Sequence, residues 1–137
     1  MRDILMDVYN VLKQDKYVNS VVDVNSHVTF NRYPELESIQ DTWIVIDDID
    51  DTLPFEYADD DNLALSYLIQ VDVYTKVKDG INARTLRNEL SYRISRLLKD
   101  ELGMINTANA KPEYDEEFKL YRSARRYELT DYRNELI

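Results

Sequence analysis

Leu63-Ala64-Leu65-Ser66-Tyr67-Leu68-Ile69-Gln70-Val71-Asp72-Val73-Tyr74-Thr75 decides the fold. Leu63, Leu65, Tyr67, Ile69, Val71 and Val73 fall at every second position, with Ser66, Gln70, Asp72 and Tyr74 between them. Successive strand side chains point to opposite sides, so this alternation predicts a long strand with one face in a core. Downstream, Lys78-Asp79-Gly80 supplies a turn and Asn82 an N-cap. Leu86, Leu90, Ile94, Leu97 and Leu98 then recur at three and four residues up to Gly103, a natural C-terminal cap, which predicts a helix over Ala83 to Leu102. Its other side carries Arg84, Arg87, Arg93, Arg96 and Lys99, an exposed basic face.

Upstream, Thr42-Trp43-Ile44-Val45-Ile46 is too short for a helix and rich in strand formers. It reads as a central strand covered on both faces. Asp47 to Asn62 is Asp-rich, contains Pro54 and lacks a period, which predicts an acidic loop or hairpin tip at about 47–62. Ile4, Leu5, Val8, Val11 and Leu12 mark an amphipathic helix ending before Tyr17. Val18, Val21, Val22, Val24 and His27 to Phe30 suggest an irregular first strand. Asn106 to Pro112 reads as a linker, and about 114–132 as an extended C-terminal stretch with a strand around Ala124 to Thr130. The expected fold is one α+β domain over 1–137, in the order α-β-β-β-α-β. Its sheet is mostly antiparallel, with two helices on one face.

The length suits one core, and 44% apolar with 32% charged residues suits a globular chain. There is no cysteine, which removes disulfides and thiolate chemistry and fits a reducing compartment. The first residues lack the apolar stretch of a signal peptide, and no run approaches the roughly 18 apolar residues of a membrane span. Net charge is −10, which disfavours phosphate backbones and anionic lipid. Tyr33 to Thr75 holds twelve acids and no Lys or Arg, while Lys76 to Ile137 holds 13 bases and 11 acids.

Few residues could carry chemistry. Asp47-Asp48-Ile49-Asp50-Asp51 and Asp59-Asp60-Asp61 could hold a hard cation, but the Gly and closing Glu of an EF-hand loop are missing. A solvated, self-repelling loop is the simpler reading, and no metal site is assigned. His27 is the single histidine, so no His-rich zinc site can form; it reads as a strand residue. Gly80 and Gly103, the two glycines, are taken by the turn and the cap, leaving no phosphate-binding loop and no cofactor site. No spacing selects a carboxylate pair, and no catalytic residue is assigned. Tyr114, Tyr121, Tyr127 and Tyr132 lie near Arg122, Arg125, Arg126 and Arg133, the residue types enriched at interface cores. An ordinary strand with a wet outer face competes evenly with that reading.

The order of segments resembles the tail terminator, or tail-completion, proteins of long-tailed bacteriophages. The likeness lies in the opening helix (Ile4 to Leu12), the apolar strand (Trp43 to Ile46) before a variable loop, and the alternating strand (Leu63 to Thr75) leading to the long helix. The closing run from Tyr114-Asp115-Glu116 through Lys119-Leu120-Tyr121-Arg122 to Arg126-Tyr127-Glu128-Leu129 adds to it. It covers nearly the whole chain and rests on pattern, since that family has no catalytic signature. The resemblance implies a structural virion protein, not an enzyme. It implies a homohexameric ring at the head-proximal end of the tail, assembled in the bacterial host cytoplasm. Such a ring ends tail-tube polymerisation and meets the tube protein, the head-completion or connector protein, or both. DNA passes through its channel without sequence-specific binding. A ring contact joins unlike patches, and the expected pair is Asp59, Asp60 and Asp61 of one subunit against Arg125, Arg126 and Tyr127 of the next. The alternative is an acidic DNA mimic or antitoxin-like inhibitor whose Asp47 to Asp61 acids occupy a basic groove. A metal-dependent phosphodiesterase using the Asp cluster is a third reading.

Overall fold

The computed structural model describes residues 2–49, 53–58 and 61–132, with backbone alone at 53–58, 61–64, 131 and 132. Helices α1 (Ile4–Gln14) and α2 (Lys16–Val21) come first, then strands β1 (Val28–Phe30), β2 (Trp43–Asp48), β3 (Leu53–Ala58) and β4 (Asp61–Lys76). Helix α3 (Ala83–Leu102) and strands β5 (Ile105–Asn109), β6 (Glu113–Asp115) and β7 (Leu120–Tyr132) complete an α+β domain with a seven-stranded sheet. The sheet runs β1-β2-β4-β7-β5, with β3 paired to β4 and β6 to β7. Every pairing is antiparallel except β1 with β2.

β4 is the spine. Its 16 residues, about 50 Å of extended chain, pair with β7 from Ala64↔Tyr132 to Lys76↔Leu120. On its other side β2 covers Ile69–Tyr74 and β3 covers Asp61–Ser66. Leu65, Tyr67, Ile69, Val71 and Val73 are buried in one core with Ile44 and Ile46 of β2 and Tyr127 and Leu129 of β7, as the alternation predicts. Ile4, Val8 and Leu12 of α1, Val18 of α2 and Leu90, Ile94, Leu97 and Leu98 of α3 close that core from one side of the sheet. Each fully buried Leu or Ile contributes about 1.5–3 kcal/mol relative to exposure.

The long helix has the expected bounds. Asn82 Oδ1 accepts the Thr85 N–H at 3.1 Å, and Gly103, at φ 71°, accommodates the left-handed turn that ends it. No helix among the described residues is long and apolar enough to cross a membrane.

Several expectations need correction. The first strand is only Val28–Phe30; Val18 and Val21 belong to a third helix. There the β-branched composition is overridden by the Asp15 cap, whose Oδ2 accepts the Val18 N–H at 3.1 Å, and by burial of Val18. Pro54 lies within a strand, because among the described residues β3 is bonded to β4 on one side only, the position in a sheet that tolerates proline. Of the two readings of 47–62 the hairpin holds and the loop does not: the stretch is the end of β2, β3 and the start of β4, with β3 and β4 paired antiparallel, while Asp50, Asp51, Asp59 and Asp60 lie outside the described residues. The supposed linker holds β5, bulged between Asn106 and Ala108 where it pairs with β7. Among the described residues the order is α-α-β-β-β-β-α-β-β-β, with three α-helices and not two.

The sheet face away from the helices is not simply wet. Ile39, Val45, Tyr74 and Leu120 form a second buried cluster, with Leu36, Trp43 and Phe118 packed against it. Trp43–Ile46 is thus covered on both faces, as its unbroken apolar run predicts.

A candidate functional site in a cationic cleft beside a buried ion pair

The second face becomes polar as β4 runs from Tyr74 back to Gln70. Asp72 points there by the same alternation that sends Val71 into the core, yet its side chain is 0% exposed. A buried carboxylate needs a partner. Arg122 supplies it from β7: its Nε donates to Asp72 Oδ2 at 2.8 Å and its Nη2 donates to the same oxygen. Gln70 Nε2 donates to Asp72 Oδ1 at 2.7 Å. The far side of Arg122 reaches Glu113 of β6 at 3.3 Å, and its guanidinium lies 5.6 Å from the Tyr74 ring centroid and 6.0 Å from that of Tyr33.

Burial disfavours the Arg122 charge, but its hydrogen bonds to Asp72 together with the negative charges of Asp72 and Glu113 outweigh it and hold its pKa above the ordinary arginine value. Burial raises the Tyr33 hydroxyl far above the ordinary tyrosine value, helped by its 2.9 Å hydrogen bond to Asp47 Oδ2. Burial also raises Tyr74. These phenols stay protonated at neutral pH, and the network holds as a fixed set of donors and acceptors.

Beside this network opens a cleft of about 300 Å3, lined by Gln70 and Arg122, by Ala124 and Arg126 of β7, and by the Ala108–Lys111 segment with Glu113. Three alanines, Ala108, Ala110 and Ala124, leave the space. The bulge in β5 and the Ala110 N–H to Ala124 carbonyl bond of 3.0 Å set the wall. Arg122 already serves Asp72 and Glu113. Arg126 donates from Nε to Gln70 Oε1 at 3.2 Å, and among the described residues the rest of its exposed guanidinium and the exposed Lys111 have no further partner. The cleft therefore offers two cationic side chains, Lys111 and Arg126, outside any ion pair among the described residues; with Arg122 set against both Asp72 and Glu113, its net charge is +1.

The residues singled out in the sequence separate accordingly. Arg125 and Arg126 point to opposite faces: Arg125 Nη1 donates to Ser95 Oγ of α3 at 3.0 Å, whereas Arg126 lines the cleft. They do not form one basic patch. Tyr127 is 1% exposed, its hydroxyl 2.6 Å from Ser95 Oγ, and burial raises its pKa; it belongs to the core. Asp59 and Asp60 lie outside the described residues, and Asp61 is described only as the backbone partner of Ala58 at the start of β4. The basic face of α3 is narrower than its sequence suggests. Arg87 is buried, donating to Asn88 Oδ1 at 2.9 Å and lying 5.4 Å over Tyr121, and Arg93 is spent on Asp15 at 2.6 Å.

His27 precedes β1 and stacks on Trp43 at 4.7 Å. Among the described residues no three His, Asp or Glu side chains are grouped to hold a metal ion. Sequence reasoning missed Asp72 and Arg122. The available signal was an acid inside the longest alternating strand, in a chain whose last strand is rich in arginine. No protein-family model matches the chain, and no curated protein matches it.

Proposed function

We infer that the protein is a structural, non-enzymatic ring subunit of the tail terminator kind, sited at the head-proximal end of a phage tail. There it would stop tail-tube growth and join the tail to the head around the DNA path. The observation that carries this reading is the cationic cleft in a chain of net charge −10. A subunit with a confined basic recess and acids elsewhere carries the unlike patches that a heterologous contact requires, and such a contact closes into a ring when its rotation allows. The segment order that resembles the family adds to it. One domain of this length, about 14 Å in radius of gyration, surrounds a duplex only by repetition. Surplus acids along a channel would keep DNA from sticking as it passes.

The experiment is negative-stain imaging of the purified protein alone and with polymerising tail tubes. The ring reading expects annular particles and capped tubes of defined length. Small particles without a central hole, together with tubes that grow on past the added protein, would reject it.

A further inference from the structure

The cleft raises the question of what meets Lys111 and Arg126, and the same chain carries a pair of carboxylates. From the last residue of β6 to the start of β7 the sequence is Asp115-Glu116-Glu117-Phe118-Lys119. This turn is held at several points. Asp115 Oδ1 accepts the Phe118 N–H at 2.9 Å, and Lys76 Nζ donates to the Phe118 carbonyl. The Val77 N–H donates to the Lys119 carbonyl at 3.0 Å, and the Phe118 ring packs on the second core. Lys119 takes a left-handed conformation, φ 53°, that reverses the chain. Glu116 and Glu117 are exposed at its tip and form no hydrogen bond or ion pair among the described residues. The turn is a preformed projection with two adjacent negative charges, so docking it orders little that is not already ordered.

Within one chain the projection stands apart from the Arg126 end of the cleft. The turn joins β7 at Leu120, and Arg126 lies six residues along that strand, about 20 Å away. Neither Glu116 nor Glu117 lines the cleft.

We propose that the Glu116-Glu117 turn of one subunit docks in the cleft of a second copy of this chain, its carboxylates on Lys111 and Arg126. Lys111 and Arg126 are the two cations open to these carboxylates, because Arg122 is already engaged by Asp72 and Glu113. Turn and cleft are different patches of one surface, so the contact is head-to-tail and repeats from copy to copy. The bulge in β5 blunts the neighbouring sheet edge against strand addition, which leaves side-chain docking as the means of contact there. The proposal rests on the ring reading and names its contact; it replaces Asp59, Asp60 and Asp61 as the acidic partner.

The test compares the full-length protein with Lys111→Glu/Arg126→Glu, with Glu116→Lys/Glu117→Lys, and with the fourfold swap. Sedimentation measures association and circular dichroism confirms the fold. Each double variant should stay folded and associate at least about tenfold more weakly, an equal mixture of the two should form hetero-oligomers, and the fourfold swap should recover association. Three results would overturn the contact while leaving the ring intact. They are unchanged association of the double variants, a loss that the swap does not repair, and repair of Lys111→Glu/Arg126→Glu by changing Asp59, Asp60 and Asp61 to Lys instead. A wild-type chain that never associates would overturn both readings.

Discussion

The two faces of the sheet bury side chains by opposite means. The helix-covered face is a continuous apolar core from Ile4 to Leu129, whereas the other buries four apolar residues and then a carboxylate. On the first, each residue is stabilised by the bulk of its neighbours, and replacing one by another of similar size leaves the rest in place. On the second, Asp72 is tolerated only because Arg122 and Gln70 meet it, so its cost falls on whichever partner is lost. Neighbouring positions of β4, Val71 and Asp72, are equally hidden from water and should fail for different reasons.

The largest expected effect comes from forcing one face to resemble the other without its partners. Val71→Asp places a carboxylate in the apolar core, where its cross-strand neighbours are Ile46 and Arg125; combined with Arg125→Met it has no partner and should cost about 4 kcal/mol or more, enough to leave most of the chain unfolded in chemical denaturation. A variant with wild-type stability would remove β4 from its place over the core. Next is Arg122→Ala, which strands Asp72 and should cost about 3 kcal/mol, while Arg122→Met combined with Asp72→Leu should recover most of it. A double variant as unstable as the single one would mean that the pair does not act as a unit.

A smaller effect refines the contrast. Gln70 lies away from the helices, where a surface residue would tolerate change, but it donates to Asp72. Gln70→Asp should cost about 1 kcal/mol through like-charge opposition, and Gln70→Asp combined with Asp72→Asn should be milder. The smallest effect is at the helical layer. The Arg93 guanidinium hydrogen-bonded to Asp15 holds that carboxyl below its ordinary pKa. A carboxyl lowered on folding stabilises above its unfolded pKa, near 3.9, and loses that contribution as pH falls through the lower folded value. Asp15→Asn keeps a competent cap and should cost about 1 kcal/mol at pH 7. In thermal melts the gap to wild type should narrow as pH falls below 4. A gap that stays constant to pH 2 would assign the effect to packing.

The sequence spoke clearly where a residue's fate depends on its own neighbours along the chain. The β4 alternation, the Asn82 and Gly103 caps and the two-faced burial of Trp43–Ile46 all follow from local pattern. It misled where partners are distant. Asp72 was legible as outward-facing but not as buried, because its burial depends on Arg122, fifty residues later. β5 was hidden because its five residues are all exposed and hold place by pairing to β7, with no apolar period to announce them. The Arg125-Arg126 pair is adjacent in sequence, but adjacent strand residues point to opposite faces, so it makes no single patch. Lys111 and the three alanines that shape the cleft carry no sequence signal of their own.

The ring claim is tested most directly by the mass of the wild-type protein in solution, measured by sedimentation equilibrium over a range of concentrations and salt. The account predicts a discrete species at about six times the 16.3 kDa of one chain, dissociating as salt screens the cleft contact. A single 16.3 kDa species at every concentration and at low salt would contradict it.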